Sequence, residues 1–226
     1  FSYWKKSFYI FLFKIFLNRN IYYHATTKKE YNEIRNILGI KSKFIYIVQN
    51  IDPVQLPLID LLEIEKRVEE TKLFFAGRIA RNKNIHLINE ILLPMKESKN
   101  IVVDLWGPIR DKSYLDSMLE FAARNEINLN YKGTFIQEEK KQIYQSYHGF
   151  LFPALAENYA HVIADSLSFS LPVIISNNTP WNSKNDFKSS GLIAVDNKNL
   201  DEYRKVIRYI HSLNKEEFYF LRKKTF

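Results

Sequence analysis

Two cations stand close together in the run GRIARNK at residues 77–83: Arg78 and Lys83. Arg presents a planar fork of donors, and Lys a point charge. On the loop that leaves a strand, such a pair suits a diphosphate, and both side chains are expected to be exposed there. The alternative is a pair of solvated surface charges, the expectation for nearby Arg81. A second constellation is ENYAHVIADSL, residues 157–167. It is expected to open a helix over 158–170, whose free N–H groups attract phosphate. Glu157 just ahead of that helix reads either as a helix cap or as an acceptor for sugar hydroxyls. Asp165 would lie about two turns, roughly 12 Å, further along the axis. There it either reaches a ribose or sits in solvent. His161 either donates to a phosphate or packs on the helix.

Other chemistries find little footing. The chain has no cysteine, so disulfides, thiolate metal sites and cysteine nucleophiles are excluded. His24, His86, His148 and His211 show no i, i+4 spacing, and no D-x-D pair occurs. The expectation is a site without a metal and without a cofactor.

These residues need a scaffold, and the apolar pattern supplies one. Strands are expected at 73–79, 101–108, 127–133, 149–154, 171–176 and 192–196, with helical spacing between them and a closing helix over 200–213. Six strands alternating with helices imply parallel pairing. Continuous Val/Ile/Phe runs fit strands covered on both faces. The expected fold is α/β, a doubly wound Rossmann-like parallel sheet with ligands bound beyond the strands' carboxyl ends. Residues 1–50 break this pattern: helix, strand, helix, strand. They are read as the tail of a preceding Rossmann domain, 51–71 as a linker, and 72–226 as the ligand-binding domain. The chain is expected to be a piece of a longer polypeptide.

Charge is uneven. Residues 1–50 carry nine Lys/Arg against two Glu, whereas the remainder carries 24 basic and 23 acidic residues. The basic character thus belongs to one end, which argues against general nucleic-acid binding. Residues 1–20 are also aromatic, with Trp4, Phe8, Tyr9, Phe11 and Phe16. Their apolar run is too short to span a bilayer. One reading buries this segment against the preceding domain. The other lays it on an anionic membrane face, the inner one if the protein is cytoplasmic.

Taken together, the cation pair, the ENYAHVIAD run, LPVIIS at 171–176 and TPW at 179–181 resemble the family-4 retaining glycosyltransferases of the GT-B fold, the type that builds bacterial surface polysaccharide. HAT at 24–26 and QNID at 49–52 are similar to that family's junction between its two Rossmann domains. The resemblance implies the C-terminal, nucleotide-sugar-binding domain of the GT-B fold. It implies metal-independent hexose transfer from a UDP- or GDP-linked donor to a glycan or lipid-linked acceptor, with acceptor groups on the other domain. Arg78 and Lys83 would hold the diphosphate and Glu157 the transferred sugar, with Gly77 beside them. Backbone around Asn158, Tyr159, Ala160 and His161 would contact sugar and phosphate, and the turns at Gly107 and Ile136 would lie near base and phosphates. Asp165 stands where the family's E-x-x-x-x-x-x-x-E places its second Glu, one methylene shorter. Asn84 and Ala160 stand where Gly is common. A non-catalytic nucleotide-sugar-binding module and a membrane-associated subunit are the rival readings.

Overall fold

The computed structural model describes residues 3–16, 21–48, 70–95, 100–181 and 186–225. The chain divides into two compact units, 1–51 and 52–226. The 51–71 linker expectation falls almost wholly outside the described residues.

In the first unit, α1 (Tyr3–Phe16) is followed by β1 (Tyr23–Ala25), α2 (Lys28–Leu38) and β2 (Ile45–Ile47). β1 and β2 pair in parallel. Thr27 caps α2 by accepting the Glu30 N–H at 3.2 Å, and Gly39 ends the helix in the left-handed region. A small core of Ala25, Ile40 and Ile45 holds the unit together.

The second unit holds β3 (Thr71–Ala76), α3 (Leu87–Leu92), β4 (Ile101–Trp106), α4 (Lys112–Arg124), β5 (Asn128–Gly133), α5 (Lys140–Gln145) and β6 (Gly149–Phe152). It continues with α6 (His161–Ser168), β7 (Val173–Ser176), α7 (Phe187–Ser190), β8 (Leu192–Val195), α8 (Leu200–Ser212) and α9 (Lys215–Thr225). The sheet order is β5-β4-β3-β6-β7-β8, parallel throughout. This is the doubly wound Rossmann-like arrangement expected from the sequence. The strand order reverses between β3 and β6, so the crevice for a ligand opens where their loops part.

The inner strands carry the core. Leu73, Phe74 and Phe75 of β3 are fully buried, as are Phe150 and Leu151 of β6 and Val173, Ile174 and Ile175 of β7. Both faces of these strands are covered, so their sequences run apolar without alternation. Edge strand β5 alternates instead, with Leu129 buried between exposed Asn128 and Asn130. α8 buries Tyr203, Val206, Ile207 and Ile210, an i, i+3, i+4, i+7 stripe.

Two boundaries differ from expectation near the crevice. β3 ends at Ala76 rather than 79, because Gly77 turns out of the ladder at φ 153°. The helix expected over 158–170 begins only at His161, because Ala160 takes the left-handed conformation, φ 64° and ψ 71°, and interrupts the helical turn. It ends at Ser168, with Ser170 again left-handed at φ 52°.

Candidate functional site

The loop after β3 is clamped against the loop after β4. The Gly77 N–H donates to the Trp106 carbonyl at 2.9 Å, and the Ile79 N–H to the Pro108 carbonyl at 3.0 Å. A side chain on Gly107 would run into the Gly77 carbonyl, so only glycine lets the two backbones come this close. Arg78 lies between these two anchored residues, and its side chain is exposed. No carboxylate pairs with it among the described residues. Its backbone is therefore fixed while its guanidinium is available to an anion.

Residues 81–83 then make a single tight turn, with the Lys83 N–H on the Ala80 carbonyl and the Asn84 N–H on the Arg81 carbonyl, both 3.0 Å. Asn84 is left-handed, φ 56° and ψ 31°. Asn is the side chain that best tolerates this in place of glycine. The turn drives Lys83 inward. The expectation of an exposed Lys83 is wrong: it is only 7% exposed. Its ammonium lies 5.4 Å from the centroid of the Phe152 ring and meets the Glu157 carboxylate. Burial, and then the Arg78 charge, pull the Lys83 ammonium down to about 8. The adjoining carboxylate works the other way, favouring the charged form.

Glu157 comes from the loop after β6, the strand on the other side of the order reversal. That loop is tied down twice. The Leu155 N–H donates to the Asn82 carbonyl at 3.1 Å, joining it to the cation loop. The Asn197 amide donates to the Pro153 carbonyl at 3.1 Å, while buried Tyr203 donates its hydroxyl to the Asn197 Oδ1 at 2.8 Å. Glu157 stands four residues ahead of α6 rather than directly before it, so it is not that helix's cap. Residues 158–160 are loop, and the helical amides that can face an anion begin at His161.

The other expected residues fall around this pair in different ways. Asn158 and His161 are exposed, and the His161 ring lies 4.9 Å from that of Tyr159. The Tyr159 carbonyl accepts the Trp181 indole N–H at 2.5 Å. Gly107 has its N–H on the Gly133 carbonyl, and its own carbonyl accepts from the Tyr131 hydroxyl, so its backbone groups are engaged in holding the loops together. The Ile136 N–H donates to Glu139 Oε2 at 3.0 Å and its carbonyl accepts from the Glu139 N–H, and its side chain is exposed in the turn after edge strand β5.

Asp165 sits about one turn into α6 and is ion-paired with Lys140 at 2.9 Å. The expected offset of two regular helical turns between Glu157 and Asp165 thus does not hold, because Glu157 lies outside the helix. Lys140, Asn197 and Phe152 escaped the sequence reading. Lys140 opens α5 after the Ile136 turn, and no local pattern marks it as the partner of a residue 25 positions on.

The unit resembles solved glycosyltransferase structures in fold. A TarM variant from S. aureus, in complex with fondaparinux, alpha-GlcNAc-glycerol and UDP, superposes with a TM-score of 0.69 at 15% identity, covering 89% of this chain and 39% of its own. Anabaena HepE in complex with UDP and glucose gives 0.75 at 12% identity, covering 100% and 61%. WaaG, a glycosyltransferase involved in lipopolysaccharide biosynthesis, gives 0.65 at 12% identity, covering 92% and 58%. The chain therefore spans about two fifths to three fifths of the length of these proteins. No curated protein matches it in sequence. Residues 62–220 match the family described as Glycosyl transferases group 1, and the chain belongs to that family.

Proposed function

We propose that this chain is the donor-binding half of a retaining, metal-independent hexosyltransferase. It takes a hexose from a nucleoside-diphosphate sugar and passes it to a glycan or lipid-linked acceptor in surface polysaccharide synthesis. The observation that carries the reading is the meeting of Lys83 and Glu157, with the Arg78 charge beside them, on the loops where the sheet order reverses. The complexes of HepE with UDP and glucose and of TarM with UDP favour a UDP-linked donor.

In the proposed reaction, the sugar–diphosphate bond breaks and negative charge gathers on the leaving diphosphate. Arg78, Lys83 and the amides opening α6 sit ready to stabilise that charge. One preorganised donor of this kind is worth about 10²–10³ in rate. Two fixed cations take the part a divalent ion plays elsewhere, which supports metal independence. Glu157 accepts hydrogen bonds from the sugar hydroxyls and orients the anomeric carbon. Asp165, held by Lys140, faces the nucleoside end. Acceptor groups come from a partner domain, so 72–226 alone binds donor and turns over little.

The test is transfer from a panel of UDP-, GDP- and ADP-sugars by the full-length protein, with the anomeric configuration of the product read by NMR. Transfer with retention supports the proposal. Donor binding without transfer or hydrolysis returns the chain to a nucleotide-sugar-binding module, the reading to which the shorter Asp at 165 gives weight.

A second contact is proposed for residues 1–20 at the inner face of the membrane. On α1, Trp4 is 82% exposed and Phe16 72%, with Phe8 and Phe11 also exposed beside Lys5 and Lys14. Among the described residues, no helix is long and apolar enough to cross a membrane. Co-sedimentation with anionic liposomes separates this cytoplasmic, peripheral placement from burial against a preceding domain.

A further inference from the structure

The TPW segment at 179–181 has no place yet in the site, and the backbone beside it is strained. Ala160 is a non-glycine residue in the left-handed region. Such a conformation persists only where the surroundings over-determine it. Two bonds do so here. On the helix side, the Ala160 carbonyl accepts the Ile163 N–H at 2.8 Å. On the loop side, the Tyr159 carbonyl accepts the Trp181 indole N–H at 2.5 Å, and the two rings lie 5.4 Å apart.

The loop after β7 is built to deliver that indole. The Asn177 N–H continues onto the Val195 carbonyl at 2.9 Å. The Asn178 N–H then turns back onto the Ser176 hydroxyl at 3.0 Å, and the Thr179 N–H onto the Ser176 carbonyl at 3.3 Å. This tight turn brings Trp181 against Tyr159. In a trans peptide the C=O and N–H point to opposite sides. With the Tyr159 carbonyl turned to Trp181, the Ala160 N–H is turned away from it, and no acceptor takes that N–H among the described residues.

We propose that Trp181 is a positioning residue, whose indole N–H holds the Tyr159–Ala160 peptide so that the Ala160 N–H faces the donor's diphosphate. The inference rests on the donor-binding reading above. It adds that the loop after β7 sets the phosphate cradle on the loop after β6. Without the indole bond, Ala160 relaxes to the right-handed or extended region and its N–H swings off the diphosphate. A glycine at 160 has no such preference. The coupling between positions 160 and 181 is therefore what separates this role from simple packing.

The experiment measures UDP and GDP affinity of the full-length protein by calorimetry. Trp181→Phe keeps a ring against Tyr159 and removes the N–H. It is expected to weaken the better-bound diphosphate about fivefold to thirtyfold, the scale set by one left-handed alanine. Adding Ala160→Gly to Trp181→Phe is expected to restore most of that loss. Unchanged affinity in Trp181→Phe overturns the proposal, and so does a loss that Ala160→Gly leaves in place. If Trp181→Phe does not fold, Ala160→Val decides: a β-branched side chain resists the left-handed region, so affinity must fall with Trp181 intact. Arg78→Ala runs in parallel. If wild type binds and Arg78→Ala weakens binding while Trp181→Phe does not, this inference fails alone. If neither diphosphate binds wild type, the donor-binding reading fails and takes this one with it.

Discussion

The ammonium of Lys83 meets the carboxylate of Glu157 across the loops that leave β3 and β6, the two strands between which the sheet order reverses. The groups assigned to the diphosphate and to the sugar thus neutralise each other. A donor arriving there must share or part this pair. Its diphosphate takes the cation, and its hydroxyls take the anion.

Arg78 and Lys83 are expected to behave differently when removed. Arg78→Ala should weaken nucleoside-diphosphate affinity by about 10–100-fold, the scale of a charge-assisted bond. It should leave the melting temperature unchanged, since the side chain is exposed and has no carboxylate partner. Lys83→Ala should lose affinity and stability together, because it strands the Glu157 carboxylate, whose side chain is only 14% exposed. That cost is on the order of 3 kcal/mol. Calorimetry and thermal melts on both variants check this, and equal melting temperatures would contradict the buried pair.

The pH dependence of binding follows from Lys83. Burial, and then the Arg78 charge, hold it at about 8, below its ordinary 10.5. Diphosphate affinity should therefore fall as pH rises through about 8, when the cation is lost. Lys83→Arg should abolish that step below pH 10. Calorimetric titrations at several pH values, wild type against Lys83→Arg, read the difference.

Glu157→Gln is expected to separate the two ends of the donor. It should cut transfer and nucleotide-sugar affinity, yet not reduce affinity for the bare diphosphate, since it removes the anion that competes for Lys83. Asp165→Asn should instead weaken both ligands by the same factor. A 2′-deoxy donor should then add no further loss, because carboxylate and hydroxyl would be one interaction. Equal losses of both ligands in Glu157→Gln would contradict the sugar-facing role.

Transfer is expected to survive EDTA at full rate. Abolition by chelation, with recovery on adding magnesium or manganese, would contradict the assignment of leaving-group stabilisation to Arg78, Lys83 and α6.

Much of the scaffold could be read from the chain because double burial writes itself as unbroken apolar runs, as in LFFA of β3 and FLF of β6. The cation loop and the Glu157 loop were also legible, since each follows such a strand. The rest depends on backbone states and long-range pairs that carry no local signal. Ala160 does not encode a left-handed residue, so the start of α6 was placed three residues early. Lys83 is buried by the turn through Asn84 and by Phe152 beside it, a contact between segments far apart in sequence. The Asp165–Lys140 pair joins two helices whose register is set by packing, which spacing along the chain does not reveal.

The most direct measurement is a calorimetric titration of UDP-, GDP- and ADP-linked sugars and their bare diphosphates into the wild-type protein and Arg78→Ala. The account predicts that at least one sugar nucleotide and its diphosphate bind the wild type, and that Arg78→Ala weakens both by a similar factor. No binding by any member of the panel, or the same affinities in Arg78→Ala as in wild type, would contradict it.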